Sequence, residues 1–226
     1  MNQVIINTNK FKTRAAVLEN GKVMEVHIER EGEGTLNGNI YKGKVANVLP
    51  GMESAFVNIG LEKNGFLYVK DLRDFEEKYL TGIVNSGKPI EELLNVGDEV
   101  VVQVLSDPRG SKGARVTTHY TIPGKFLVLM PNNNHIAISK KIKDETERER
   151  LEKLFSEIVP EGMGVIIRTA AEGKSIYHFE KELQYLIKKW EEIEVRIKKA
   201  KTGELLYKDN GIVSKVLRDI IGNDID

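Results

Sequence analysis

The chain has 226 residues, 40% of them hydrophobic and 30% charged, which supplies a packed core for one large domain or two to three small ones. Its 34 Lys and Arg balance its 34 Asp and Glu, so no global field draws in a polyanion and any nucleic-acid contact must come from a local patch. With no cysteine there is no disulfide, thiolate zinc site or cysteine nucleophile, and no apolar run approaches the roughly 18 residues of a membrane helix. The opening MNQVIINTNKFK lacks the apolar centre of a signal peptide, and the whole reads as a cytoplasmic protein.

In chain order, a short strand at Val4, Ile5 and Ile6 precedes two alternating runs, 14–18 and 23–28, separated by Asn20-Gly21. Both turn residues tolerate positive φ, so the pattern predicts a hairpin with a type I′ turn. Residues 31–38, EGEGTLNG, hold three glycines among few large apolar residues and mark a linker. From Asn39 onward short strands are predicted at 40–48, 54–59, 66–69, 99–105 and 114–119, with one or two short helices in the charged stretch 71–95. Five strands in this span suit a small closed Greek-key barrel of OB type.

Beyond Tyr120 the pattern is mixed. It predicts strands at 126–130 and 135–139 around a Pro131-Asn132-Asn133-Asn134 turn, a helix at 144–158 and a strand at 164–169. A long helix follows at 175–200, on which Ile176, Phe179, Leu183, Leu186, Trp190, Ile193 and Ile197 recur every three or four residues as a core-facing stripe. A last short helix is predicted at 212–221. Asp144, Glu145 and the other carboxylates read as helix-start or solvated-face residues.

The residues that bear chemistry concentrate in the barrel. In Tyr41-Lys42-Gly43-Lys44-Val45 alternation puts Lys42 and Lys44 on one face, where two ammonium groups attract phosphate. Phe56 and Phe66 stand on the second and third strands, where such barrels stack bases on aromatic rings. The loop from Asp107 to Arg115 brings Arg109, Lys112 and Arg115 to one tight turn. The competing reading makes both phenylalanines core and the loop a solvated one. Gly173-Lys174-Ser175 is not the end of a phosphate-binding loop, because Arg168 occupies the position where that motif needs its first glycine. His27, His119, His135 and His178 show no metal-ligand spacing.

Several motifs resemble a known family. Tyr41-Lys42-Gly43-Lys44-Val45, Ala55-Phe56-Val57-Asn58-Ile59-Gly60, Gly65-Phe66-Leu67 and Val96-Gly97-Asp98-Glu99-Val100 look like an S1 RNA-binding domain. Together with Ser111-Lys112-Gly113-Ala114, Leu127-Val128-Leu129-Met130-Pro131-Asn132-Asn133 and the run from Pro160 to Ala170, their order and spacing resemble the RNase E/G endoribonucleases over essentially the whole chain. The resemblance implies an α+β, multidomain fold, with an S1 barrel inserted in an RNase H-like subdomain and followed by a 5′-sensor subdomain. On this chain the parts would be 1–36 for the first RNase H-like strands, 37–119 for S1, 120–212 for the sensor and 213–226 for the returning RNase H-like segment. It implies single-stranded RNA binding through Phe56, Phe66 and Lys112, and tilts the choice above toward the functional reading. It also implies a pocket for a 5′-monophosphate formed by Gly124, Val128, Arg168 and Thr169. A guanidinium can take two phosphate oxygens at once, and a neighbouring hydroxyl or amide adds a charge-assisted bond.

The family cleaves RNA with a magnesium ion held in a DNase I-like subdomain, none of whose motifs occur here. The chain by itself is therefore expected to have no catalytic residues, to bind no metal and to leave RNA intact. Three organisations fit: an N-terminal portion of an endoribonuclease, a short relative that binds RNA without cutting, or an S1 adaptor that docks a protein. The expected partners are single-stranded RNA and either the missing catalytic half or another copy of the chain, with no membrane and no small-molecule substrate. A bare edge of the RNase H-like sheet would favour dimerisation.

Overall fold

The computed structural model describes residues 2–30, 35–72, 88–209 and 211–220. Two compact units are formed, residues 1–36 with 209–226, and residues 37–208. Most of the linker glycines and the stretch after Leu72, where a helix was expected, lie outside the described residues.

The first unit is an antiparallel sheet of β1 (Asn2–Thr8), β2 (Lys12–Glu19) and β3 (Lys22–Arg30). Asn20 at φ 50° and Gly21 at φ 76° make the expected I′ turn. Ala15 and Val17 are buried on the face served by the terminal helix, where Val216 is buried too. The other face carries the cross-strand row Ile5, Ala16 and Val26, and both Ile5 and Val26 are exposed. That is an apolar sheet face among the described residues, wider than scattered surface leucines would give.

The second unit begins with the barrel. Its strands are β4 (Ile40–Leu49), β5 (Ser54–Asn58), β6 (Gly65–Tyr68), β7 (Glu99–Ser106) and β8 (Arg115–Thr117), in the order β4-β5-β6-β8-β7 and closed by β4 against β7. All pairs are antiparallel except β6 with β8. Val45, Ala55, Val57, Leu67, Val102, Val104 and Val116 fill the interior, each on the inward parity of its strand. A short helix, α1 (Ile90–Leu93), lies before β7.

The following layer is a sheet ordered β11-β12-β10-β9, from β9 (Ile122–Pro123), β10 (Leu127–Pro131), β11 (Ile136–Ile138) and β12 (Met163–Ile167). Helices α2 (Glu145–Ile158) and α3 (Ile176–Lys199) bury its apolar face. Asp144 caps α2 by accepting from the amides of Thr146 and Glu147 at 2.9 and 3.4 Å. The α3 stripe is buried from Phe179 to Ile197, but Ile176 is 41% exposed. It occupies the first helical position, a turn ahead of the point where α3 meets the core. Two short strands escaped the pattern reading: β9, and β13 (Leu205–Tyr207), which pairs with the start of β4. Helix α4 (Ile212–Ile220) follows and belongs to the first unit.

The barrel and the helical layer share one core. Val101 and Ile40 belong to the same buried cluster as Leu129, Phe155, Phe179 and Trp190. Tyr120 stacks on Trp190 at 5.4 Å and donates its hydroxyl to the Val101 carbonyl at 2.9 Å. Buried Gln103 donates to the carbonyls of Gly38 and Thr121 at 2.8 and 2.9 Å and accepts from the Thr121 amide at 2.8 Å. Trp190→Ala is expected to cost about 3–5 kcal/mol in urea unfolding. Tyr177→Ala, on the exposed side of the same helix, is expected to stay within about 0.5 kcal/mol.

Candidate nucleic-acid interface

Phe56 and Phe66 face each other in the β5–β6 register, both half-buried on the outside of the barrel, with ring centroids 6.0 Å apart at 65°. Their neighbours inward, Ala55, Val57 and Leu67, take the core positions, so the two rings are not the interior. The register extends the row across four strands: Asn47 opposite Phe56, Phe56 opposite Phe66, and Phe66 opposite Arg115. Lys44 is exposed at the next register step, opposite Asn58. Edge-to-face rings on the outer side of a barrel are a surface on which bases can stack.

The basic loop turns tightly, with Arg109 and Lys112 exchanging backbone hydrogen bonds at 3.1 and 3.0 Å. Lys63 donates to the Gly110 carbonyl at 2.6 Å and ties this turn to the residues just before β6. Arg109 and Lys112 are both exposed there.

Two of the expected cations are otherwise engaged. Lys42 is buried, with its ammonium 3.0 Å from Glu99. The strand alternation is as expected, but the segment that carries Gly203 and β13 lies along the start of β4 and covers that part of the face. The hydrogen bond from Lys42 holds the Glu99 carboxyl below the usual glutamate range. Arg115 places Nε and Nη2 on the two oxygens of Asp71 at 2.9 and 3.1 Å. Lys44, Arg109 and Lys112 are exposed and make no ion pair with a carboxylate among the described residues.

The four residues expected to form a phosphate pocket lie on or next to β9, β10 and β12, successive neighbours in one sheet. Val128 pairs with Pro123 on one side and Ile166 on the other. The Arg168 amide donates to the Phe126 carbonyl at 2.8 Å, and its Nη1 donates to the Gly124 carbonyl at 2.7 Å. The Gly124 amide donates to the Leu127 carbonyl at 2.8 Å. Thr169 is exposed at the start of a short 3-10 turn, Thr169–Ala171. Glu147 props that segment by accepting from the Gly173 amide at 2.9 Å, and Arg150 reaches the Lys174 carbonyl at 3.2 Å.

Glu182 is the residue the sequence reading missed. Its carboxylate accepts from the amides of Lys125, Phe126 and Leu127. Lying next to the Leu183 position of the apolar stripe, it reads from periodicity as one more solvated glutamate. No signal in a single sequence separates it from the other acids of α3. Among the described residues no group of three or more His, Asp or Glu side chains is placed to hold a metal ion.

The ribonuclease E/G family model matches residues 121–226. Ribonuclease G of Escherichia coli strain K12 is 40% identical over 231 residues, covering 99% of this chain and 46% of that protein. Ribonuclease G of Haemophilus influenzae shows the same identity and coverage. The chain belongs to the ribonuclease E/G family. Ribonuclease E of Nostoc sp. is 42% identical over 83% of the chain and 27% of its own length. The chain thus spans about half the length of the ribonuclease G relatives it matches, and no helix among its described residues is long and apolar enough to cross a membrane.

The Arg150 guanidinium, bonded to both Glu147 oxygens at 2.7 Å, and the Gly173 amide hold the Glu147 carboxyl below the ordinary glutamate range, while the same pair raises Arg150. A depressed carboxyl gives stability that is complete above its unfolded-state value and is lost as pH falls through the folded-state value. Urea unfolding followed from about pH 6 to about pH 3 is expected to show this loss. Glu147→Gln should be less stable at the upper end and flatter in its acid limb.

Proposed function

We propose that this chain is the RNA-holding part of an RNA-processing endoribonuclease of the E/G type. In this reading single-stranded RNA lies across the outer face of the barrel, with bases on Phe56 and Phe66 and backbone phosphates near Lys112 and Lys44. The observation that carries it is the partly exposed Phe56–Phe66 pair together with the cationic 109–112 turn, tied to the residues just before the strand of Phe66. A chain of zero net charge gains little long-range attraction for RNA, so short-range stacking and a few phosphate contacts must supply the affinity.

A terminal 5′-monophosphate is read at the junction of β9, β10 and β12. Arg168 and Thr169 supply the guanidinium and hydroxyl, and the 124–128 backbone forms the wall. The gain over a 5′-hydroxyl comes from a dianionic group meeting a bidentate donor. Cleavage belongs to the rest of the family architecture, and the open Ile5–Ala16–Val26 face is the place for further polypeptide, either the remainder of such an enzyme or a second copy.

Fluorescence anisotropy with short single-stranded RNA tests the barrel reading. Phe56→Ala and Phe66→Ala are each expected to weaken binding by about 1–3 kcal/mol, roughly 5- to 150-fold, with unchanged circular dichroism. Wild-type affinity in the double variant would refute stacking on this face. Arg168→Ala is expected to abolish a preference for 5′-monophosphate over 5′-hydroxyl RNA while leaving the hydroxyl affinity intact. A preference that persists in that variant would remove Arg168 from the pocket.

A further inference from the structure

The turn at residues 124–127 is gripped from two sides. Its successive amides on Lys125, Phe126 and Leu127 donate to the Glu182 carboxylate at 2.5, 2.8 and 3.1 Å. On its other side the Gly124 carbonyl accepts from Arg168 Nη1 at 2.7 Å. Consecutive amides pointing at one centre form a nest, an arrangement that suits an anion, and bonds to an ionised acceptor are about twice as strong as neutral ones. A Cβ at Gly124 would lie 2.6 Å from the Glu182 carboxylate carbon, so a side chain there would displace this carboxylate from its present position.

Glu182 is delivered by a rigid element. It stands on α3 between Phe179 and Trp190, both buried in the shared core. Phe179 meets Phe126 edge to face at 6.0 Å, and His178 meets the same ring at 5.9 Å. The helix therefore carries the position of the core out to the turn. With its two oxygens engaged by three N–H groups, the carboxylate faces the protein backbone.

We propose that Glu182 is a positioning residue for 5′-end reading: it does not touch the phosphate, but fixes the turn whose Gly124 carbonyl aims Arg168 and whose strand carries Val128. This role rests on the end-reading proposed above. Its ligand is the same terminal phosphate monoester, and its action on that ligand is through the geometry of the turn.

Glu182→Gln keeps the shape but replaces one acceptor oxygen with an amide nitrogen, so at least one turn amide loses its partner. Glu182→Asp keeps both oxygens and draws them back by one methylene. Two quantities are measured on the full chain: the affinity ratio of 5′-monophosphate to 5′-hydroxyl RNA, and hydrogen exchange of the 125–127 amides. Glu182→Gln is expected to lower the ratio about 3- to 10-fold and speed that exchange by a similar factor. Hydroxyl-RNA affinity should stay within about twofold, and Glu182→Asp should recover part of both effects. A wild-type ratio in Glu182→Gln overturns the role of Glu182 alone. A lowered ratio with unchanged exchange also overturns it, by placing the residue against the ligand, and loss of hydroxyl-RNA binding does so by showing general disruption. No preference in the wild-type chain overturns the end-reading itself and the positioning role with it.

Discussion

Strand β7 is buried on both faces, and that constraint organises the whole second unit. Val102 and Val104 point into the barrel, while Val101 and Gln103 point into the helical layer. A strand in this position has no solvent side to absorb an error in register. Its polar side chain, Gln103, accordingly meets partners at Gly38 and Thr121, where the chain comes into and leaves the barrel. Tyr120 and Trp190 continue the contact outward, so α3 takes its place from the barrel, and Glu182 and the candidate phosphate pocket take theirs from α3.

Charge in this neutral chain is managed locally. Glu99, Asp71 and Glu147 each engage a cation: Lys42, Arg115 and Arg150. Those pairs brace the start of β4, the end of the barrel and the segment after Thr169. Lys44, Arg109 and Lys112 stand exposed around the aromatic pair. Each pair keeps one partner open to solvent, which screens it and keeps its contribution to stability modest, and its larger effect is to decide which cations face outward. The carboxylate of Glu182 uses the same device on backbone amides.

The two candidate contacts with RNA divide the labour that a neutral protein needs. Ring faces on a barrel accept any base, since every base has a π-face. A guanidinium beside a hydroxyl accepts a group that occurs once per molecule, at its end. The proposed sequence-tolerant holding and end recognition would sit in one unit, because barrel and helical layer share a core.

Much of this was determined by the sequence itself. Asn20-Gly21, the α3 stripe from Phe179 to Ile197 and the alternation in β4 to β8 are local signals with one physical solution each, and they predicted the hairpin, the long helix and the five-strand barrel. The motifs around Phe56, Phe66 and Arg168 likewise carried the family. Tertiary structure alone decided what depends on residues far apart in the chain. It buried Lys42 under a segment more than 160 residues downstream, left Ile176 beyond the edge of the core and paired Arg115 with Asp71. It also brought Glu182 onto the amides of a turn more than 50 residues earlier. Periodicity reports which face of an element is apolar, but the partner of a charged side chain is set by which elements the core brings together, and that information is not local.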